Sequence, residues 1–261
     1  MISEILYIFF LILFVVFSGC LILVGGFFIA RGRKISKNNL YIAGIGFLIL
    51  PIGFIGNLVF NLGFLFQEIF VFFCFILTVI FTNLTFHRNR KLAPNLVLIL
   101  VLVLGLIQLI FHAITSFSSL NPYYEKVSLD VPYTLLVFNW LSWSSYSAYK
   151  LLKNQDIEPW IKLRYKIVAI FSFIISFHSI PEFFQPTGFG WGDPGNNISL
   201  MVFGATAILV VIFSIGFTFA WIMPNWMKKH ANKDYKPLEE KELSEDELMN
   251  LIKKQLKEHD E

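Results

Sequence analysis

Seven long apolar runs, separated by short stretches of charged and turn-forming residues, constrain the fold of this chain more than any other feature. A helix that crosses about 30 Å of hydrocarbon at about 1.5 Å per residue needs roughly 20 apolar residues. The runs that approach or exceed this length cover residues 5–30, 40–60, 68–86, 94–114, 132–149, 163–180 and 198–223. They predict an all-α membrane protein, in which residues 1–227 form a bundle of seven transmembrane helices.

Charged residues are concentrated at the end of the chain. Lys and Arg total 21, Asp and Glu total 18, and nearly half of these charges lie in residues 228–261. The whole chain is 15% charged, whereas soluble domains contain about a quarter of charged residues. This distribution excludes a soluble globular enzyme, a disordered scaffold and a disulfide-stapled secreted module.

Basic residues flank the runs unequally. Twelve of the thirteen Lys and Arg residues before Lys228 lie after the first, third and fifth runs or at the start of the sixth. They are Arg31, Arg33, Lys34, Lys37, Arg88, Arg90, Lys91, Lys150, Lys153, Lys162, Arg164 and Lys166. Lys126 alone lies in an opposite connection. Because Lys and Arg are retained on the cytoplasmic side, we expect an outside N-terminus, a cytoplasmic C-terminus and a location in the plasma membrane.

Polar side chains within the runs gather near the outer boundary. Gln108 and His112, and likewise His178 and Glu182, are spaced i,i+4 and would share a helix face. Polar groups in hydrocarbon need a neighbouring helix to satisfy them, so they mark the bundle interior. With Glu68, these residues predict an outer cup that holds a small ligand or a proton. Two alternatives stay open: a metal site on His112, His178 and Glu182, or polarity that reflects only water at the membrane boundary.

The fifth run is the least apolar of the seven, because Asn139, Trp140 and Trp143 lie in it with several Ser and Tyr residues. Unsatisfied polar groups lose their water in hydrocarbon, so we expect this helix to be central. There are two alternatives for this helix. Either its small residues allow close packing of neighbouring helices, or Asn139, Trp140 and Trp143 line a ligand cavity or a permeation path. We include these three among the candidate ligand-binding residues of the outer cup.

A loop with four glycines, residues 185–197, connects the sixth and seventh runs on the outer side. Glycine at this density permits backbone turns that other residues cannot make. Either the loop folds over the cup as a lid, with Phe189 and Trp191 facing inward, or it is a compact connector.

The charged tail, residues 228–261, contains one predicted helix. A capping box at Ser244–Glu247 opens it, and apolar residues then recur at helical spacing: Leu248, Leu251, Ile252 and Leu256. This pattern predicts an amphipathic helix over residues 244–258. The helix either packs under the bundle or at the membrane surface, or it binds a cytoplasmic protein.

Seven helices with an outside N-terminus resemble, in architecture, rhodopsins, hormone-receptor-like proteins, sugar transporters built of three-helix repeats, and the seven-helix sensor modules of bacterial kinases. The motifs of these families are absent. Residues 198–223 contain no Lys for a retinal Schiff base, and residues 86–90 lack the acidic–Arg–aromatic triplet of receptors. We therefore assign no family and predict no cofactor.

No sequence motif of a known enzyme class supports catalysis. The chain contains neither an HExxH zinc motif nor a Gly-x-Ser-x-Gly elbow, so we predict a protein without enzymatic activity. The remaining enzymatic alternative is an intramembrane zinc hydrolase that uses His112 and His178.

The sequence thus favours a receptor or sensor that recognises a small ligand or a proton at its outer face and signals to a separate cytoplasmic protein. The alternative is a small-solute or ion transporter or channel, with a path lined by the fifth helix. The inner halves of the second, fourth and seventh runs are almost entirely apolar, which favours the receptor. The expected partners are the lipid bilayer and this cytoplasmic protein, not nucleic acid; the oligomeric state stays open.

Overall fold

The computed structural model of the chain describes residues 2–88, 92–117 and 123–235, together with residues 247, 249, 250 and 252. Within these residues all regular structure is helical and no β-strand occurs. The long helices are α1 (Ile2–Ile35), α2 (Asn38–Leu58), α3 (Phe64–Phe86), α4 (Leu92–Phe117), α5 (Tyr123–Leu152), α6 (Pro159–Ile175) and α7 (Asn197–Ile222). A 3₁₀ turn (Ile180–Phe184) and a short helix, α8 (Asn225–Ala231), complete the described secondary structure.

Six helical segments in the described part of the chain are long and apolar enough to cross a membrane. Five of them are α1, α2, α3, α4 and α7. The sixth is Pro159–Phe184, which comprises α6, the turn after it and the 3₁₀ turn. These helices are those of a multi-pass membrane protein. α5 has 30 residues, a sufficient length, but its polar residues keep it outside this apolar set. The seventh crossing predicted from the sequence therefore stays a prediction.

The helices pack into a closed ring with one helix outside it. α1 lies between α2 and α7, α3 joins α2 to α5, and α6 lies between α5 and α7. α4 packs against α3 and α5 from outside the ring. Its buried positions form one stripe, Pro94, Val101, Gly105, Gln108 and His112, whose spacing is that of a single helix face. α5 contacts three long helices, yet Trp143 on its outward side is 66% exposed.

The turn between α2 and α3 is made by residues that tolerate a left-handed backbone. Asn61 and Gly63 both adopt positive φ angles, of 52° and 85°, which Asn and Gly tolerate better than other residues. Helix α3 then begins at Phe64, four residues before the apolar run boundary at Glu68. Glu68 therefore lies inside the first turns of α3 and not at its first residue.

α6 ends earlier than the sequence predicts. It stops at Ile175, whereas the apolar run continues to residue 180. The Ser176 hydroxyl donates to the Phe173 carbonyl at 2.6 Å, and the His178 imidazole Nδ1 contacts the Ile175 carbonyl at 3.0 Å. These side chains occupy carbonyls that a continuing helix would use. His178 and Glu182 consequently do not share an α-helical face, because both lie in the segment after α6 (residues 176–184), where the backbone forms turns and a 3₁₀ helix.

Beyond residue 235, the charged tail is described at only four residues. Glu247, Met249, Asn250 and Ile252 are helical, and Ile252 is buried in the core. Tyr165 of α6 contacts Met249, with the Tyr165 hydroxyl 3.8 Å from the Met249 sulfur. This part of the tail packs under the bundle; the rest of the expected helix over 244–258 lies outside the described residues, as do Arg90 and Lys91.

Candidate functional site

Three carboxylates and one imidazole line a small cavity inside the helix ring. We call it the acidic cavity and define it by Glu68 of α3, Asp130 of α5, and His178 and Glu182 of the segment after α6. Its volume is about 100 Å³. Gln67, Thr78 and Thr206 add polar groups to the same wall. Residues far apart in the sequence therefore line one cavity.

The charges of this cavity influence one another directly. Asp130 lies within electrostatic range of Glu68, Glu182 and His178. Lys126, one turn earlier on α5, is within range of all three carboxylates. With neutral histidines, three carboxylates and one ammonium group leave an excess of negative charge. Such an excess in a poorly hydrated site favours a bound cation or proton.

Hydrogen bonds connect the acidic cavity to the surrounding helices. The Asn57 amide donates to the Gln67 side-chain oxygen at 2.8 Å, which joins α2 to α3. The Thr206 hydroxyl of α7 donates to the His178 carbonyl at 3.3 Å. These bonds fix the irregular segment after α6 against α7 and hold the cavity walls in position.

Gln108 and His112 lie together on α4, as their spacing predicts, and they reach the acidic cavity only through Glu68. The His112 Nε2 atom is 3.7 Å from the Glu68 carboxylate and 3.5 Å from the Gln108 amide nitrogen. Neither residue lines the cavity itself. Their position behind Glu68 makes them positioning residues for that carboxylate.

Aromatic rings form most of the remaining wall. Phe14, Phe17 and Phe54 line the cavity on the side of α1 and α2. Trp191, from the glycine-containing loop, also lines it, and its ring centroid lies 5.6 Å from that of Phe14 and 4.7 Å from that of Phe203. Aromatic faces beside carboxylates provide a favourable environment for a cation.

The loop that carries Trp191 is tied to the start of α7. The Ser199 hydroxyl oxygen accepts bonds from the Gln185 amide and from the backbone N–H groups of Gly192 and Asp193. Trp191 consequently faces the acidic cavity, as the lid hypothesis expects, whereas Phe189 is 47% exposed and does not.

Three residues that the sequence analysis grouped with the outer cup do not line the acidic cavity: Asn139, Trp140 and Trp143. The Trp140 indole donates to the Asn83 side-chain oxygen Oδ1 at 2.8 Å and stacks on His87 near the end of α3. Trp143 faces outward from the bundle. The outer cup and the fifth-helix residues are therefore separate in space, and Trp140 is engaged in helix packing.

Asp130 is the cavity residue that sequence reasoning missed. It precedes the apolar run that begins at residue 132 and so lies outside the spans that the sequence predicts. Helix α5 begins at Tyr123, nine residues before the run, which places Asp130 on a rigid element. Ser179 lies within hydrogen-bonding range of its carboxyl group. The only sequence feature that could have indicated a place for Asp130 on a helix was its spacing of one helical turn from Lys126.

Metal binding has no geometric support in the described part of the chain. No group of three His, Cys, Asp or Glu side chains there comes close enough to hold a metal ion. His112 faces Glu68 from α4, while His178 lies on the far wall against Phe138, with ring centroids 6.2 Å apart. The set His112, His178 and Glu182 is therefore not brought together.

An aromatic layer lies beneath the acidic cavity. It consists of Phe28, Phe47, Phe81, Phe217 and Trp221, with neighbouring ring centroids 4.8 to 6.4 Å apart. Phe47 lines the acidic cavity, whereas Phe81 and Trp221 line a second cavity at the opposite end of the bundle. The layer thus separates two cavities within one helix ring.

No protein-family model, curated protein or solved structure matches the chain. The functional argument below therefore depends on the geometry of the described residues.

Proposed function

We propose that this protein is a receptor or sensor of the plasma membrane, in which a seven-helix bundle binds a small cation or a proton at its outer face. It passes the signal to a separate cytoplasmic protein. The observation that carries this proposal is the acidic cavity of about 100 Å³, which Glu68, Asp130, His178 and Glu182 line together.

The size of the cavity restricts its ligand. Sites for drug-sized molecules occupy roughly 300–1,000 Å³, so the acidic cavity accepts a ligand of only a few heavy atoms. A primary ammonium group satisfies the carboxylates by hydrogen bonding, and a small alkyl substituent contacts the aromatic wall. Methylammonium has this chemistry and is a suitable probe, while a proton is the smallest ligand of the same site.

The orientation is supported by the charge distribution of the bundle. Four of the basic residues that the sequence assigns to the inner side, Arg31, Lys37, Arg88 and Arg164, line one cavity. The acidic cavity lies on the other side of the aromatic layer. Because basic residues are retained on the cytoplasmic side, the acidic cavity then faces the outer side of the membrane.

The aromatic layer favours a sensor over an open channel. Phe28 and Phe217 are 0% exposed, so a hydrated ion has no polar path between the two cavities. A ligand in the acidic cavity instead contacts the segment after α6, in which backbone N–H groups donate to carbonyls three residues back and which precedes a glycine-containing loop. Movement of this segment would shift α6 and α7, provided that the ligand binds one arrangement more tightly than the other.

The proposal is tested by the thermal stability of the full-length protein in lipid nanodiscs. Methylammonium chloride is added against sodium chloride of equal ionic strength, and the titration is repeated across a range of pH. We expect methylammonium or acidification to raise Tm in the parent protein and to have a much smaller effect in the Glu182→Gln variant. The matched control is Glu125→Gln, because Glu125 is exposed on the preceding part of α5. Equal responses in both variants, or no response in the parent, would overturn the proposal.

The topology is tested separately by thiol labelling in intact cells. A cysteine at Thr187, in the glycine-containing loop, should react with a membrane-impermeant maleimide, whereas a cysteine at Asn154 should react only after permeabilisation. Both positions are exposed, so their accessibility reports the side of the membrane. The parent chain, which contains Cys20 and Cys74, measures the background labelling. The opposite pattern would invert the orientation.

A transporter is the second candidate, and one observation favours it. Two cavities at opposite ends of one helix ring, separated by a single aromatic layer, match the arrangement needed for alternating access to a central gate. Methylammonium uptake into proteoliposomes distinguishes the two functions. Uptake above that of empty liposomes that falls in Glu182→Gln would make this a transporter, whereas stabilisation without uptake supports the sensor.

A further inference from the structure

A line of small hydroxyl side chains runs between α5 and α6. We call it the hydroxyl seam and define it by six residues of these helices and of the segment after α6: Thr134, Ser142, Ser145, Ser172, Ser176 and Ser179. Five of the six are at most 1% exposed, and Ser142 is half-buried. The seam is therefore a polar line within an otherwise apolar bundle.

Two hydrogen bonds set the register of α5 against α6. The Ser179 hydroxyl donates to the Thr134 hydroxyl at 2.8 Å, and the Ser142 hydroxyl donates to the Ala169 carbonyl at 2.8 Å. The two helices therefore run antiparallel, with Thr134 and Ser179 at the outer end of the seam. Positions 134 and 145 of α5 lie within about 20° of the same side of the helix, so Ser145 continues the line that Thr134 begins.

The hydroxyls follow one another at short steps along the helix axes. At about 1.5 Å per residue, Ser172 lies about 4.5 Å outward of Ala169, and Ser176 lies about 6 Å beyond Ser172. In the inward direction, Ser145 lies about 4.5 Å from Ser142. Two O–H···O bonds of about 2.5–3.0 Å, joined at one water molecule, span about 5–6 Å. Single water molecules are therefore sufficient to bridge the steps.

Two hydroxyls of the seam have no hydrogen-bond partner among the described residues. They are those of Ser145 and Ser172, each 0% exposed. A hydroxyl in a membrane helix is satisfied by a carbonyl of its own helix or of a neighbour, as those of Ser142 and Thr206 are here. A buried hydroxyl without such a bond costs free energy. Both oxygens therefore favour a small polar ligand, which in so narrow a seam is a water molecule or a proton.

The seam connects the acidic cavity to the second cavity. At the outer end, Ser179 lies within hydrogen-bonding range of the Asp130 carboxyl group. At the inner end, Tyr165 of α6 lies four residues before Ala169 and so within about 1.5 Å of Ser145 along the axis. Tyr165 lines the second cavity, whose volume is about 540 Å³. Each end of the seam therefore adjoins a cavity.

The aromatic layer does not interrupt the seam. Its rings come from α1, α2, α3 and α7, whereas the seam lies between α5 and α6. Side chains that are almost completely buried leave no space for a hydrated ion. A proton needs no such space, because it passes between neighbouring oxygens by transfer along hydrogen bonds.

We propose that the hydroxyl seam conducts protons between the acidic cavity and the second cavity. The proposal rests on the proposed function at its outer end, where the acidic cavity takes up the proton. At each step, one oxygen of the seam or of a bridging water accepts a proton and releases another to the next oxygen. Only O–H bonds form and break, and no residue is changed by the passage. The proton gradient or the membrane potential drives the net movement.

The test measures proton flux into phosphatidylcholine proteoliposomes that contain the full-length protein and a trapped pH-sensitive dye. Valinomycin and a potassium gradient set an inside-negative potential, and acidification of the lumen reports proton entry. We expect the parent protein to acidify the lumen faster than empty liposomes do. Absence of this difference would overturn the proposal. If methylammonium still raised Tm in that case, the sensor would stand without the seam, so the two failures are distinguishable.

Matched variants locate the path. Thr134→Val and Ser172→Ala should each lower the flux at least about tenfold, which corresponds to a barrier higher by about 1.36 kcal/mol. The controls are Thr82→Val on α3 and Ser214→Ala on α7, which make the same changes at positions of 0% and 1% exposure. Their hydroxyls donate to carbonyls of their own helices.

Ser172→Ala keeps the test valid if Thr134→Val does not fold, because the Ser172 hydroxyl has no hydrogen bond to a described residue that the change would remove. Unchanged flux in Ser172→Ala, or equal decreases in Ser172→Ala and Ser214→Ala, would contradict the seam as the proton path.

Discussion

Replacement of Phe28 by Ala should destabilise the bundle more than replacement of any exposed phenylalanine. Phe28 is 0% exposed, and its ring lies 4.8 Å from Trp221 and 5.9 Å from both Phe47 and Phe81, centroid to centroid. The substitution therefore removes the ring at the centre of the aromatic layer. In a bilayer the unfolded helices also lie in hydrocarbon, so the loss comes from packing and not from transfer out of water.

The magnitude follows from the volume that is lost. Removal of a ring of roughly 100 Å³, at about 24 cal/mol per Å³ of unfilled cavity, lowers the free energy of unfolding by about 2.4 kcal/mol. For a chain of this size, each kcal/mol lowers Tm by about 2–4 °C, so the expected decrease is about 5–10 °C.

The assay is thermal unfolding of the purified protein in nanodiscs, with circular dichroism and Trp fluorescence as probes. Phe60→Ala is the matched control, since Phe60 is 68% exposed after the end of α2. It should change Tm by less than about 2 °C, as surface substitutions usually stay within about 0.5 kcal/mol. Equal decreases in the two variants would refute the description of the aromatic layer as the packed centre of the bundle.

Three further predictions concern helix packing and the loop over the acidic cavity. Gly25→Ala should lower Tm, because its new Cβ would lie 2.8 Å from the Leu48 side chain and 3.0 Å from the Gly44 carbonyl. Gly26→Ala, which meets nothing within 4 Å, should leave Tm unchanged or raise it through its higher helix propensity; a larger decrease in the second variant would contradict the α1–α2 contact. Trp140→Phe should cost about 1–3 kcal/mol of unfolding free energy by depriving the Asn83 side-chain oxygen of its donor, whereas Trp143→Phe on the outward face should be neutral, and equal costs would argue against the separate roles. Ser199→Ala should speed amide hydrogen exchange at Gly192 and Asp193, which donate to its hydroxyl, while Ser128→Ala at an exposed position should not. Unchanged exchange in Ser199→Ala would contradict the role of Ser199 in holding the loop.

Much of the local structure could be predicted from the sequence because it depends on local chemistry. The apolar runs match helices, and Asn61 and Gly63 make the turn between α2 and α3. The end of α6 was predicted wrongly at residue 180, since apolar length carries no information on which side chains compete for backbone carbonyls. Ser176 and His178 do so after Ile175.

The sites could be predicted only in part because they depend on which helix faces meet. Glu68, His178 and Glu182 were grouped as polar residues near one membrane boundary, and they line the same cavity. Trp140 was placed with them on polarity alone, but its partner Asn83 is 57 residues away. The cavity that Arg31 and Arg164 both line was not predicted. The count of basic residues assigns these two to one side of the membrane but does not show that they line the same space.

The most direct test of the central claim is equilibrium binding of radiolabelled methylammonium to the full-length protein in nanodiscs. The account predicts saturable binding by the parent and by Glu125→Gln, with binding at least about tenfold weaker in Glu182→Gln, since one charge-assisted hydrogen bond is lost. Absence of saturable binding to the parent at every pH at which it is folded, or equal binding to both variants, would contradict the assignment of the acidic cavity as a cation site.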